Sequence, residues 1–139
     1  MRSALEATGV AITSRRDKLL EVLASSQRHP SVNEIHREVQ RFFPGASLAT
    51  VYNTIELLKE TDQVLEIEFS GLPNRYDGRR PHPHPHLICL NCERIDDLGM
   101  AEPDHPLDVI SEATGYQILR RRTDYYGVCP QCQTKAAAD

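Results

Sequence analysis

Between Ser14 and Leu58, apolar residues recur at helical spacing in three runs; directly afterwards the spacing drops to two. Ser14 opens the first run, with Asp17 three residues on as the acid of a capping box, and Leu19, Val22 and Leu23 share one face. The second run starts at Ser31 with Glu34 as its capping-box partner, and Val32, Ile35, Val39 and Phe42 form its apolar stripe until Pro44 and Gly45 stop it. Ser47 caps the third, whose Leu48, Val51, Ile55 and Leu58 point inward and leave Ala49, Thr50, Asn53 and Glu56 outward, with Tyr52 on the flank. The stretch VLEIEF then alternates, with Leu65, Ile67 and Phe69 opposite Glu66 and Glu68; Ser70, Gly71, Pro73 and Asn74 give a turn, and RYD returns as a partner strand. Three helices and a hairpin, in that order, predict a winged helix-turn-helix, which lays its last helix in the DNA major groove. A small α+β domain with no DNA role has the same pattern.

The second half reads as strand HPHLICL, strand ERIDDL, helix HPLDVISEATG closing on Gly115, and strand YQILRRRTDYYG. The expected architecture is α/β (α+β): a winged-helix domain at 1–78, a Pro/His-rich hinge linker at 79–85, and a small α/β domain at 86–139. A unit of that size is marginal alone, and a metal clamp and dimerisation are the usual remedies. The edge stretch QILRRRT could pair with its copy in a second chain.

Composition adds little but excludes some classes. The chain has 139 residues, 40% hydrophobic and 26% charged, as in soluble globular proteins. No apolar run approaches the ~20 residues of a membrane helix, and the N-terminus lacks the apolar core of a signal peptide. A cytoplasmic location is expected. The net charge of −4 argues mildly against nucleic-acid binding, though a basic patch on one face suffices. The outward residues of the third helix favour DNA: Ala49 and Thr50 can touch a thymine methyl, Asn53 can pair with adenine, and Tyr52 can reach base or phosphate. Arg15, Arg16 and Lys18 could hold phosphates, or simply line a solvated helix face.

The four cysteines form two Cys-x-x-Cys pairs, Cys89/Cys92 and Cys129/Cys132. Each pair can aim two thiolates at one ion, and together they complete a tetrahedral zinc site. A redox Cys-x-x-Cys is the competing reading, but cytosolic thiols are kept reduced and two pairs in one short chain favour zinc. Before the first pair, histidines alternate with prolines at His82, His84 and His86. Proline holds such a stretch extended, so His84 and His86 can share a face; His82 reads as solvated. Asp77 ends the wing just before this linker. Asp96 and Asp97 lie on opposite faces of the following strand, so one of them can look inward. Imidazoles and carboxylates without thiolate suit ferrous iron, manganese or zinc. Ligands from both halves would let the ion select one interdomain geometry.

SLATVYNTIELLKETDQVLEI, then His-x-His-x-x-Cys-x-x-Cys, then YYGVCPQC resembles the ferric uptake regulator family, over nearly the whole chain. The resemblance implies a homodimeric, metal-dependent repressor that binds double-stranded DNA at a palindromic operator and does not act as an enzyme. It is most like the peroxide-sensing branch. That branch implies structural zinc on Cys89, Cys92, Cys129 and Cys132. It also implies a regulatory ferrous or manganous ion on His29, Asp77, His84, His86 and Asp97, with His29 and His84 oxidised by hydrogen peroxide when iron is bound. His29 enters only through the resemblance, which also selects Asp97 over Asp96. Many members have HHHDH where this chain has HPHPH, and a histidine where it has Arg121, so a second regulatory site is expected to be absent. Glu93 stands where glycine is frequent. Two other readings compete: a repressor of the same fold that reports iron, manganese or zinc supply, and a mononuclear iron enzyme.

Overall fold

The computed structural model describes residues 1–100 and 106–138. These cluster into two units, Met1–His82 and Pro83–Asp139, with the division inside the Pro/His stretch.

The first unit holds α1 (Arg2–Ala7), α2 (Ser14–Ser25), α3 (Val32–Gln40), α4 (Leu48–Glu60), β1 (Leu65–Ile67) and β2 (Arg75–Asp77). Its core is Leu5, Leu19, Leu20, Leu23, Val32, Ile35, Val39, Val51, Ile55, Leu58 and Val64, closed on one side by Tyr76. Ser31 and Glu34 make the expected reciprocal capping box, and the Ser47 side chain accepts the Thr50 N–H. The cap of α2 is Thr13, which accepts the Arg16 N–H, so Ser14 is the first helical residue rather than the cap. β1 and β2 pair antiparallel, Leu65 opposite Asp77, as the wing.

Two inward assignments change, and Thr54 joins the interior. Phe42 is exposed because α3 ends at Gln40; the chain turns before the helical spacing from Val39 could carry Phe42 inward, and Phe43 packs on the core instead. The Lys18 ammonium sits 3.7 Å from the Phe42 ring centroid. Leu48, in the first turn of α4, is partly exposed, whereas Thr54 is buried with its hydroxyl donating to the Thr50 carbonyl at 2.7 Å. Helix α1 has no periodic signature: it is six residues long, has no side-chain cap, and is held by the burial of Leu5.

The second unit holds β3 (His86–Cys89), β4 (Ile95–Asp97), α5 (Leu107–Thr114), β5 (Asp124–Gly127) and α6 (Pro130–Ala138). The sheet order is β4-β3-β5, with β3 antiparallel to β4 and parallel to β5. Gly115 caps α5 with φ 75, the left-handed conformation glycine adopts without strain. The last strand is shorter than the sequence reading: β3 offers four residues to pair with, so β5 is four residues long and 116–123 lie outside it. The QILRRRT stretch is therefore not a regular edge strand. Helix α6, with proline at its first position, is a further element beyond the sequence reading. His105, read as the first residue of the α5 helix, lies outside the described residues.

Buried apolar residues are few in this unit. Among the described residues they are Ile88, Cys89 and Ile95, while Leu87, Val109, Tyr116, Leu119, Tyr125, Tyr126 and Val128 are exposed. A fold with so little interior needs another source of stability.

Candidate metal centres and nucleic-acid face

Cys89 ends β3, Cys92 follows a tight turn, Cys129 leaves β5 and Cys132 lies in the first turn of α6. The pairing of β3 with β5 thus brings the two Cys-x-x-Cys knuckles together, and the four Sγ atoms lie within 4.8 Å of one another. Four sulfurs about 2.3 Å from a common zinc would stand about 3.8 Å apart; Cys92 Sγ and Cys129 Sγ are 3.8 Å apart. The Cys129 N–H donates to Cys89 Sγ at 3.3 Å. The backbone N–H groups of Cys129 and Cys92 hold the Cys89 thiol down to about 6. Cys132 is pushed up to about 12 by the neighbouring Cys129 thiol, by burial, and by the other sulfurs. Four clustered thiols resist losing their last protons, and a divalent cation removes that resistance. Glu93 takes φ 62 in the turn of the first knuckle, in the left-handed region that favours glycine.

In the first unit, His29 Nε2 lies 3.1 Å from Asp77 Oδ2, and both residues are buried. His29 precedes α3 and Asp77 ends β2, 48 residues later in the chain. The loop carrying His29 is tied to the wing strand. The Tyr76 N–H donates to the Pro30 carbonyl at 3.0 Å, Ser31 bridges to Arg75, and the Arg75 guanidinium donates to the carbonyls of Arg28 and His29. Burial by itself would raise the Asp77 carboxyl. The His29 contact and the N–H groups of Arg80 and Arg79 outweigh it and hold the group at about 2.

In the second unit, His84 Nε2 is 2.9 Å and His86 Nε2 3.6 Å from the same Asp97 oxygen. The two imidazole centroids are 4.3 Å apart. His86 and Asp97 are cross-strand partners in the β3–β4 register. Asp96 faces the other way and pairs with Arg94 at 2.8 Å. Asp97, and not Asp96, is thus the aspartate beside the two imidazoles. His82 is exposed.

On the first unit, Ala49, Tyr52 and Asn53 are exposed on α4, and Arg15 is exposed at the start of α2. Arg15 and Thr50 line one shared hollow with Thr13, Ser14, Arg16 and Phe43. Arg16 is turned inward, donating to the Ala11 carbonyl at 2.9 Å, and Lys18 pairs with Glu21 at 2.9 Å, so neither is as available to a phosphate as the sequence suggested. Lys59 on α4 pairs with Glu66 of the wing at 2.6 Å, and Glu66 also accepts from Asn74 and Tyr76. This tie between the last helix and the wing has no periodic signature in the sequence.

A sequence model of the ferric uptake regulator family matches residues 7–126. The chain belongs to the ferric uptake regulator family. The peroxide operon regulator of Bacillus subtilis (strain 168) is 34% identical over 131 residues, covering 94% of this chain and 90% of that protein. The PerR of Streptococcus pyogenes, whose structure concerns peroxide sensing and gene regulation, is 31% identical with a TM-score of 0.52, over 95% of this chain and 90% of its own. The Helicobacter pylori regulator Fur, described with three functional metal-binding sites, has a TM-score of 0.78 at 22% identity, over 95% of this chain and 88% of its own, which supports the fold. This family member is thus a metal-responsive repressor with a four-cysteine, zinc-type site and a His/Asp donor set for a harder divalent ion. A further relative, PerR of Staphylococcus aureus (strain USA300), is a peroxide-responsive repressor and is 32% identical over 133 residues, covering 96% of this chain and 89% of that protein. Among the described residues no helix is long and apolar enough to cross a membrane.

Proposed function

We propose that the chain is a peroxide-sensing repressor that acts in the cytoplasm as a homodimer on a palindromic operator. The observation that carries this reading is the donor set: three imidazoles and two carboxylates, already gathered as His29 with Asp77 and as His84 and His86 with Asp97. We assign these five residues to one regulatory ion, ferrous or manganous, with zinc held separately by Cys89, Cys92, Cys129 and Cys132. The harder ligands suit iron and manganese, and the thiolates suit zinc.

Because the five ligands come from both units, joint coordination favours the arrangement of units that grips DNA. Asp97 orients His84 and His86 together, and Asp77 orients His29. Ferrous iron, when bound, supplies the reducing electrons that cleave hydrogen peroxide and so oxidise an adjacent imidazole. His29 and His84 are the imidazoles assigned that fate. A ligand that gains an oxygen donates poorly, the set of five falls to four, and the preference for the DNA-gripping arrangement is lost. Arg15, Ala49, Thr50, Tyr52 and Asn53 make the DNA contacts, the arginine on phosphate and the α4 residues on base edges.

Peptide mass spectrometry on iron-loaded protein, with and without a small dose of hydrogen peroxide and with a manganese-loaded control, tests the proposal. One added oxygen on the His29 or His84 peptide, with iron only, supports it. Unmodified histidines in protein that holds iron would leave a repressor reporting metal supply. Turnover of a small organic substrate would point to an iron enzyme.

A further inference from the structure

We infer that Arg75 is a positioning residue for the regulatory metal site, holding His29 in the conformation in which it can ligate. The inference rests on the assignment of His29 to that site. His29 has φ 51, a left-handed backbone in a residue that is not glycine. It also precedes Pro30, and a following proline favours extended backbone. Such a conformation is disfavoured and persists only where its surroundings impose it. Here the surroundings are the wing strand. The Arg75 Nε–H donates to the carbonyl of His29 itself, and an Nη2–H donates to the carbonyl of Arg28 at 2.6 Å. One planar guanidinium therefore fixes two successive carbonyls, a fork that a lysine ammonium cannot reproduce.

The same strand carries the carboxylate that His29 meets. Arg75 and Asp77 lie on one face of β2, two residues apart. Arg75 holds the backbone of His29 while Asp77 receives its ring at 3.1 Å. Main-chain contacts help, since the Tyr76 N–H bonds the Pro30 carbonyl. That bond tethers the residue after His29, whereas the arginine acts on the His29 carbonyl itself. Loss of the fork frees His29 to return to an extended backbone, which swings its imidazole away from Asp77.

The test uses the full-length, zinc-loaded protein and manganese as the probe, with affinity read by competition against a fluorescent chelator. Arg75→Met should weaken manganese binding about 10- to 100-fold, the range expected when a partner that orients a ligand is removed. Arg75→Lys should recover part of the loss by bonding one carbonyl. Zinc content should stay at the wild-type value in both. On a His29→Ala background, Arg75→Met should cost nothing further, because the residue it positions is gone. Unchanged manganese affinity in Arg75→Met, or an equal loss with and without His29, would overturn the positioning role. If Arg75→Met does not fold, Arg75→Lys decides: full wild-type affinity there refutes the need for a two-carbonyl fork. His29→Ala separates the two layers. If it binds manganese as tightly as wild type, the metal-site assignment fails and this inference with it. If it binds weakly while Arg75→Met does not, only this inference fails.

Discussion

Replacing Cys129 by serine should strip the zinc and unfold the second unit while leaving the first unit standing. The magnitude follows from what holds each unit. Among the described residues of the second unit, Ile88 and Ile95 are the buried aliphatic side chains. Each contributes about 1.5–3 kcal/mol by leaving water. A structural zinc is worth about 10–16 kcal/mol near neutral pH in zinc-finger peptides, so the metal outweighs the two side chains' total of about 3–6 kcal/mol by roughly two- to five-fold. Cys129 is central to that site: its Sγ is 3.8 Å from Cys92 Sγ, and its N–H donates to Cys89 Sγ. Serine offers a hydroxyl that ionises too reluctantly to replace a thiolate. The first unit does not depend on this site, because it has its own core from Leu5 to Tyr76. The assay is threefold: zinc per chain by colorimetric release, association state by sedimentation velocity at micromolar concentration, and a thermal melt by far-ultraviolet circular dichroism. Cys129→Ser should show no retained zinc, loss of the dimer, and a surviving transition from the helical first unit. Full zinc occupancy with an intact dimer would refute the argument that the metal is the main support of this unit.

Three further outcomes are expected. His84→Ala should abolish metal-dependent DNA binding with zinc retained, as checked by fluorescence anisotropy on an operator with and without manganese. Asn53→Ala or Tyr52→Ala should weaken operator binding roughly 5- to 150-fold, the worth of one good base contact, with manganese affinity unchanged in the chelator competition. Glu66→Gln should loosen the wing from α4 by about 1 kcal/mol, read as a shift in the urea midpoint. For Glu66, burial acts to raise the carboxyl, but the Lys59, Asn74 and Tyr76 bonds prevail and lower it. Its stabilisation is therefore complete above the unfolded value of about 4.3 and fades as pH falls through the lower folded value, so the gap between wild type and Glu66→Gln should close in acid.

The local grammar of this protein is legible in its sequence. The Ser31–Glu34 box, the Ser47 cap, the Gly115 cap, the wing strands and most of the inward stripes of α3 and α4, Phe42 and Leu48 apart, depend on neighbours within a few residues, and short-range rules read them correctly. The cysteine pairs are legible for the same reason, since each knuckle is a local turn whose spacing carries its chemistry. Elements without local signals escape such rules. Helix α1 exists because Leu5 finds a core to enter, and β5 stops at four residues because β3 offers only four. Phe42 falls on the wrong side when the α3 stripe is extended past the point where the helix ends.

What only the tertiary structure decided is which distant residues meet. The residue pattern alone left Asp96 and Asp97 open; the β3–β4 register sets Asp97 beside His84 and His86 and sends Asp96 to Arg94. Nor could it single out His29, a histidine before a proline like others in the chain. The wing strand gives that histidine its neighbour Asp77 and, through Arg75, its backbone conformation. The physical reason is the same in both cases. A ligand set is fixed by contacts between residues far apart in the chain, and those contacts follow from strand register and packing rather than from periodicity.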